Sequence, residues 1–418
     1  MLELTNSTCV SSQHGISQVT SNDNDNDKKA DERRRREQML EAFRSRFNTE
    51  PTVGARAPGR VDLMGSHTDY NEGFVLTLAI NRDTWIMAAP RSDNAVNLAS
   101  LNLDSACQFD VESFDAKIEG WGQYVQGVAA VLHAAGHPLI GFDGLVHGTV
   151  PIGSGLSSSA SLEAAAATLF EQLGGFELGG LEKAKLCQQA ENEWVGVNCG
   201  ILDQYRSILG EAGEALILDC RSLTHQYATM PANLRPVICN TCAPRKLTGS
   251  EYGQRRTQCE QAASYFGEQD NSIKSLRDVS LDLFREHQTN LSDEVRKRAQ
   301  FIIEENARVG QLAEALKSND LPAIKELTAA SFVGARDLFE ISVPAMQQMF
   351  DTMISAPGCV GCRQAGAGFG GCMIALVATD HVTDFCESVT ANYERESGLK
   401  PEVYPVQTAP SAGKLALD

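Results

Sequence analysis

The chain has 418 residues, 42% hydrophobic and 22% charged, with a net charge of −18 from 36 basic and 54 acidic side chains. That balance is ordinary for a globular protein, and the length exceeds what one core comfortably holds, so two domains are expected. The acidic balance argues against nucleic acid as a partner, no apolar run reaches bilayer length, and no apolar signal core is seen at the N-terminus, so a cytoplasmic protein is expected.

Residues 1–34 are expected to be a disordered tail, because the Asn–Asp alternation over 22–27 cannot bury apolar surface. Arg33–Arg36 reads as the solvated start of a helix that continues through Met39, Leu40, Ala42 and Phe43. The two domains are placed at 35–225 and 226–418. In the first, Phe74–Ile80 and Thr84–Ala88 read as two strands of one sheet, and 144–150 and 215–219 as further strands. Helical spacing marks 123–135, 159–173 and 181–195, the second of these Ala-rich. In the second domain, 237–240, 359–379 and 401–406 read as strands. Helices are expected around 255–266, 292–317, 320–332 and 344–355. Helices and strands mix irregularly, which predicts an α+β fold rather than a doubly wound parallel sheet.

Cysteine usage adds little to this. Twelve cysteines in a long chain without an export signal are expected to be reduced thiols. The C-x-x-C pairs Cys239/Cys242 and Cys359/Cys362 are far apart for a compact zinc ribbon and are read as small buried thiols.

Three motifs carry chemistry. The first runs from Pro151 through Ile152, Gly153, Ser154, Gly155, Leu156, Ser157, Ser158 and Ser159 to Ala160, between a strand and the Ala-rich helix. Its glycines permit tight turning, the free N–H groups and dipole of the helix start favour an anion, and its hydroxyls add donors or a magnesium ligand. No Lys follows the last glycine, so this is not a Walker A loop. The second, Gly59 to Gly73, gathers Arg60, Asp62, Ser66, His67, Thr68, Asp69 and Asn71 around tight glycines, a set able to bind many hydroxyls. The third is a glycine cluster, Gly366 to Gly371.

These strings resemble those of galactokinase, within the GHMP superfamily of small-molecule kinases that includes homoserine kinase and mevalonate kinase. The resemblance runs from about residue 35 to the C-terminus, with all three motifs in family order. It implies a two-domain fold, each domain a mixed or antiparallel sheet packed with helices, and an active site in the cleft between them. It also implies ATP, Mg²⁺ and phosphoryl transfer to the C1 hydroxyl of a sugar; a monomer is expected, with the sugar and ATP as partners and neither nucleic acid nor membrane.

Residue by residue, the resemblance makes Asp203, in Gly200-Ile201-Leu202-Asp203-Gln204, the catalytic base, with Arg60 as its partner. Ser66, His67, Thr68, Asp69 and Tyr252 become substrate contacts. Gly153, Ser154, Gly155, Leu156, Ser157, Ser158, Ser159, Gly366 and Gly368 become ATP contacts, and Ser159 with Glu191 the magnesium ligands. Two positions depart from the family pattern: Asp62 stands where the family has Asn, and Ser66 where it has a sugar-contacting Glu. Galactose is the expected substrate. The loss of a charged acceptor at Ser66 leaves a uronic acid such as galacturonate, or a pentose such as arabinose, as the alternative. A non-catalytic sugar- and ATP-binding regulator is the second alternative.

Overall fold

The computed structural model describes residues 21–197, 199–243 and 249–418. The chain divides into two compact units, one up to Glu50 and one from Pro51 to Asp418. The first unit's described part is a single helix, α1 (Ser21–Phe47), running into a short turn. The expected tail is therefore corrected over 21–34, which is helical. Arg44 and Arg46 occupy its last turn, where the helix dipole favours positive charge. Residues 1–20 of that tail lie outside the described residues.

The second unit is α+β. Its strands are β1 (Val53–Met64), β2 (Phe74–Pro90), β3 (Ala95–Ser100), β4 (Ser105–Asp110), β5 (Phe142–Gly148), β6 (Glu214–Asp219), β7 (Thr224–Thr229), β8 (Leu234–Asn240), β9 (Cys359–Gln364), β10 (Cys372–Ala378), β11 (Glu402–Pro405) and β12 (Gly413–Lys414). Its helices are α2 (Gly122–Ala134), α3 (Ser158–Gly174), α4 (Gly180–Gln189), α5 (Leu202–Ile208), α6 (Gly249–Gln269), α7 (Leu281–His287), α8 (Asp293–Lys317), α9 (Leu321–Asp337), α10 (Pro344–Ser355) and α11 (Val382–Ser397).

Eight strands form one sheet, ordered β12-β1-β2-β5-β3-β4, with β6 on β2 and β7 on β6; β11-β8-β10-β9 form another. Every pairing is antiparallel except β3 with β5. The two strands expected over 74–88 are one bent strand. Ile80 pairs Gly59 and Asp83 pairs Pro58, so Asn81 and Arg82 bulge out without ending it. The expected division at 225/226 falls inside β7. The two sheets part between Thr229 and Leu234, and β12 brings the chain's end back to the first sheet.

Helix starts follow local chemistry. Ser292 caps α8 by accepting from the Val295 N–H, and Asp320 caps α9 by accepting from Ala323, just ahead of Pro322. The Ala-rich α3 lies against β1 and β2, with Ala164–Ala167, Leu169 and Phe170 buried in the core of the larger sheet. Small side chains let the helix approach closely, and this fixes where its first turn points. No described helix is long and apolar enough to cross a membrane.

Candidate active site

Alternation along β1 puts Arg60 and Asp62 on one face of the strand. The serine-rich loop is tied to that strand: the Arg60 N–H donates to the Leu156 carbonyl at 3.1 Å. Gly59 permits the approach, since a Cβ there would stand 2.7 Å from the same oxygen. Within the loop, Gly153 and Gly155 take positive φ of 73° and 85°, and the Ser154 hydroxyl donates to the Pro151 carbonyl. Ser157 turns into α3 with φ of 62°, a left-handed conformation uncommon outside glycine. Leu156 is wholly buried, and its carbonyl is taken by the Arg60 N–H.

Asp203, in the first turn of α5, meets Arg60 across 143 positions of chain. Its Oδ1 accepts from Arg60 Nε at 2.9 Å and Nη2 at 2.7 Å, and its Oδ2 accepts from the Ser157 hydroxyl at 2.6 Å. Arg60 Nη1 donates to the Gly155 carbonyl at 2.6 Å, which joins the pair to the serine-rich loop. Burial works against the Arg60 charge, but Asp203, Asp62 and Asp69 together raise its pKa above the ordinary arginine value. Burial raises the pKa of Asp62, and the neighbouring arginines only partly offset it. Ser157, expected at the phosphates, gives its hydroxyl to Asp203.

The segment after β1 builds the opposite wall. His67, at φ 62°, has Nε2 2.9 Å from the Ala367 carbonyl. A carbonyl can only accept, so Nε2 carries the proton, and Nδ1 accepts from the Tyr70 hydroxyl at 2.8 Å. Burial pushes the His67 pKa down to about 4 and keeps the ring neutral near pH 7. Tyr252 packs on His67 and edge-on to Tyr70, with centroids 5.1 Å and 5.7 Å away. Burial pushes the Asp69 carboxyl up to about 6.

Ser66, His67, Asp69, Tyr252, Arg60 and Asp203 line one pocket. Thr68 does not. It is fully buried, and its single hydroxyl hydrogen lies between the carbonyls of Gly65 at 2.7 Å and Phe74 at 2.6 Å, closing the turn. The expected substrate contact at Thr68 is therefore corrected to a turn-closing residue. Gly366 also lines the pocket, with the Gly155 carbonyl close beside it, so the serine-rich loop and the third motif meet. Gly368 instead packs its backbone on Ile341, where a Cβ would stand 2.6 Å from a carbonyl oxygen.

Behind Asp203 lies a buried acidic cluster. Glu191 sits in a π turn that follows α4, within hydrogen-bond reach of the Ser159 side chain. Gln204 Nε2 donates to Glu191 at 2.6 Å and to Glu163 at 3.0 Å, and the Cys199 thiol lies 3.4 Å from Glu191. Burial and then the Asp203 charge raise the pKa of Glu191; burial and then Glu191 raise that of Glu163. Glu163 Oε1 is buried without a hydrogen-bond partner. A Ser hydroxyl and a carboxylate are hard oxygen donors of the kind Mg²⁺ takes, and the crowded negative charge suits a cation. Among the described residues no group of three or more His, Cys, Asp or Glu could hold a metal, so phosphates and waters would complete such a site.

Sequence reasoning missed Glu163, Cys199, Gln204, Glu305 and Arg363. Gln204 was legible as the neighbour of Asp203, and Glu163 as one helical turn from Ser159. Nothing local marks Arg363 and Glu305. Both are buried, joined by Nη2–Oε1 at 3.1 Å, and they hold Ser66 from behind: Arg363 Nη2 donates to its hydroxyl at 2.7 Å, and its N–H points at Glu305.

Family models agree with this geometry. One described as the galactokinase galactose-binding signature matches residues 41–90, the GHMP kinases N terminal domain matches 123–211, and the GHMP kinases C terminal matches 312–395. A galactokinase of Roseiflexus sp. (strain RS-1) is 38% identical over 378 residues, 90% of this chain and 97% of that protein. One of Chloroflexus aurantiacus is 41% identical over 364 residues, 87% and 93% of the two chains. Among solved structures, Lactococcus lactis galactokinase complexed with galactose superposes with a TM-score of 0.84 at 34% identity, over 91% of this chain and 99% of that one. The Methanococcus jannaschii mevalonate kinase, at 16% identity and TM-score 0.62 over 85% of this chain and 98% of that one, shares the fold.

Proposed function

This chain belongs to the galactokinase family of small-molecule kinases, and from that premise we propose that its pocket phosphorylates galactose at the anomeric hydroxyl. It is a sugar kinase, with ATP as phosphoryl donor. The observation that carries the reading is the Arg60–Asp203 pair at the meeting of the serine-rich loop and the sugar-signature segment. Asp203 takes the proton of the attacking hydroxyl. Arg60 orients the carboxylate and offsets charge that develops on the transferred phosphoryl group. Ser66, His67, Asp69 and Tyr252 bind the sugar. Gly153 to Ser159 with Gly366 cradle the phosphates, aided by the open N–H groups at the start of α3. Ser159 and Glu191 would hold Mg²⁺, which would offset the negative charge of the phosphates.

The relatives are galactokinases, so the uronate, pentose and non-catalytic readings are not favoured. We read the protein as a cytoplasmic monomer whose two sheets contribute the two lobes of the site.

The test is ATP turnover with Mg²⁺ across galactose, galacturonate, arabinose and glucose, for the wild type and Asp203→Asn. The wild type should favour galactose. Asp203→Asn should lower kcat by about 10²–10⁴-fold while ATP still binds, the range for loss of a general base. Unchanged kcat in Asp203→Asn, or no turnover of galactose by the wild type, overturns the reading.

A further inference from the structure

Asp62 lines the pocket and is only 7% exposed, yet its Oδ1 receives no hydrogen bond. Arg60 Nε stands 3.3 Å away, but that nitrogen has one hydrogen and gives it to Asp203. A complementary vacancy lies nearby. Arg363, 1% exposed, directs Nε to Ser331 and Nη2 to Ser66 and Glu305, while Nη1 donates to no acceptor. Asp62 and Arg363 each feel the other's charge. Ser66 also lines the pocket. It accepts from Arg363, and its own hydrogen has only the Gly366 carbonyl, at a long 3.4 Å.

Buried polar groups left unmatched are costly, and a hydroxyl, which donates and accepts at once, matches this set. Arg60 Nε stands 2.9 Å from Asp203 Oδ1 and 3.3 Å from Asp62 Oδ1, so the two carboxylates flank one guanidinium, and a sugar held at Asp203 by its reacting hydroxyl presents a different hydroxyl toward Asp62. We propose that Asp62 is a specificity-determining residue of the sugar site: its Oδ1 accepts a hydrogen bond from a non-reacting sugar hydroxyl whose oxygen is received by Ser66, itself held by Arg363. The inference rests on the reading of this pocket as a sugar site. It assigns Asp62 a contact with substrate beyond its neighbourhood to Arg60.

A mutation-by-substrate cycle tests it. kcat/KM is measured for galactose and for its 2-, 3-, 4- and 6-deoxy analogues with wild type, Asp62→Ala and the isosteric Asp62→Asn. Asp62→Ala should lose about 10- to 100-fold on galactose, the range of one hydrogen bond to a charged group. Against one deoxy sugar, the one lacking the matched hydroxyl, the same substitution should cause little further loss. Asp62→Asn keeps the shape and a neutral acceptor, should lose less, and carries the same cycle if the alanine variant fails to fold. An equal loss on galactose and on every deoxy analogue overturns the proposal, because Asp62 then acts only through Arg60. Wild-type failure on galactose itself overturns the kinase reading and the contact together.

Discussion

His67 and Asp69 stand two residues apart and respond to acid in opposite senses. The His67 pKa is lowered to about 4, so an unfolded chain takes up its proton first. The stability that the neutral ring contributes is complete above about 6.5 and is lost as pH falls toward 4. The Asp69 carboxyl is raised to about 6, so the folded chain takes up that proton first. Folding is therefore favoured as pH falls from about 6 toward the ordinary carboxylate range. The two slopes oppose each other, and urea titrations between pH 7 and 4 should separate them. His67→Gln should lose less stability on acidification than wild type, and Asp69→Asn more. Parallel curves for all three proteins would show that these two groups do not set the acid response. At this scale the sequence showed which residues gather near the site, because they sit in one continuous string. It did not show that Thr68 faces inward, since a hydroxyl that closes a turn and one that meets a ligand look alike in sequence.

The close contact between β1 and the serine-rich loop sets the distance from sugar to phosphate. Gly59→Ala would place a Cβ 2.7 Å from the Leu156 carbonyl, backbone against backbone, with no flexible side chain to yield. It should destabilise by about 1–3 kcal/mol and raise KM for ATP more than KM for the sugar, as thermal melts and initial rates would reveal. An unchanged ATP KM would mean the loop is held without that contact. Elements with a clear apolar stripe were legible, as α3 and α8 show. β7 was not: Thr-His-Gln-Tyr-Ala-Thr carries little apolar signal, and it becomes a strand because β6 offers a free edge. In sequence the bend in β2 looks like a break, because a bulge and a turn both draw polar residues, here Asn81 and Arg82.

Across the molecule, Glu305 anchors one point where several elements meet. From α8 its carboxylate accepts from the N–H groups of Gly65 and Ser66 after β1, from Ser331 on α9, and from Arg363 on β9. Arg308 supports its other oxygen at 3.2 Å. Removing one partner of a buried pair strands the other, so Glu305→Ala should cost about 3–5 kcal/mol in urea unfolding. Replacing Glu305 and Arg363 together by Met should cost less than the sum of the single changes. Additive losses would mean the two charges do not depend on each other.

Composition, the order of the three motifs and the periodicity of the larger helices were determined by the sequence alone, because each depends on near neighbours or on totals. Which carboxylate meets which cation was decided only by the tertiary structure. Arg60 and Asp203 are 143 positions apart, and Ser66 and Arg363 are 297 apart. Such pairings depend on how strands and helices pack, and no local pattern encodes the alignment of two distant side chains in one buried pocket.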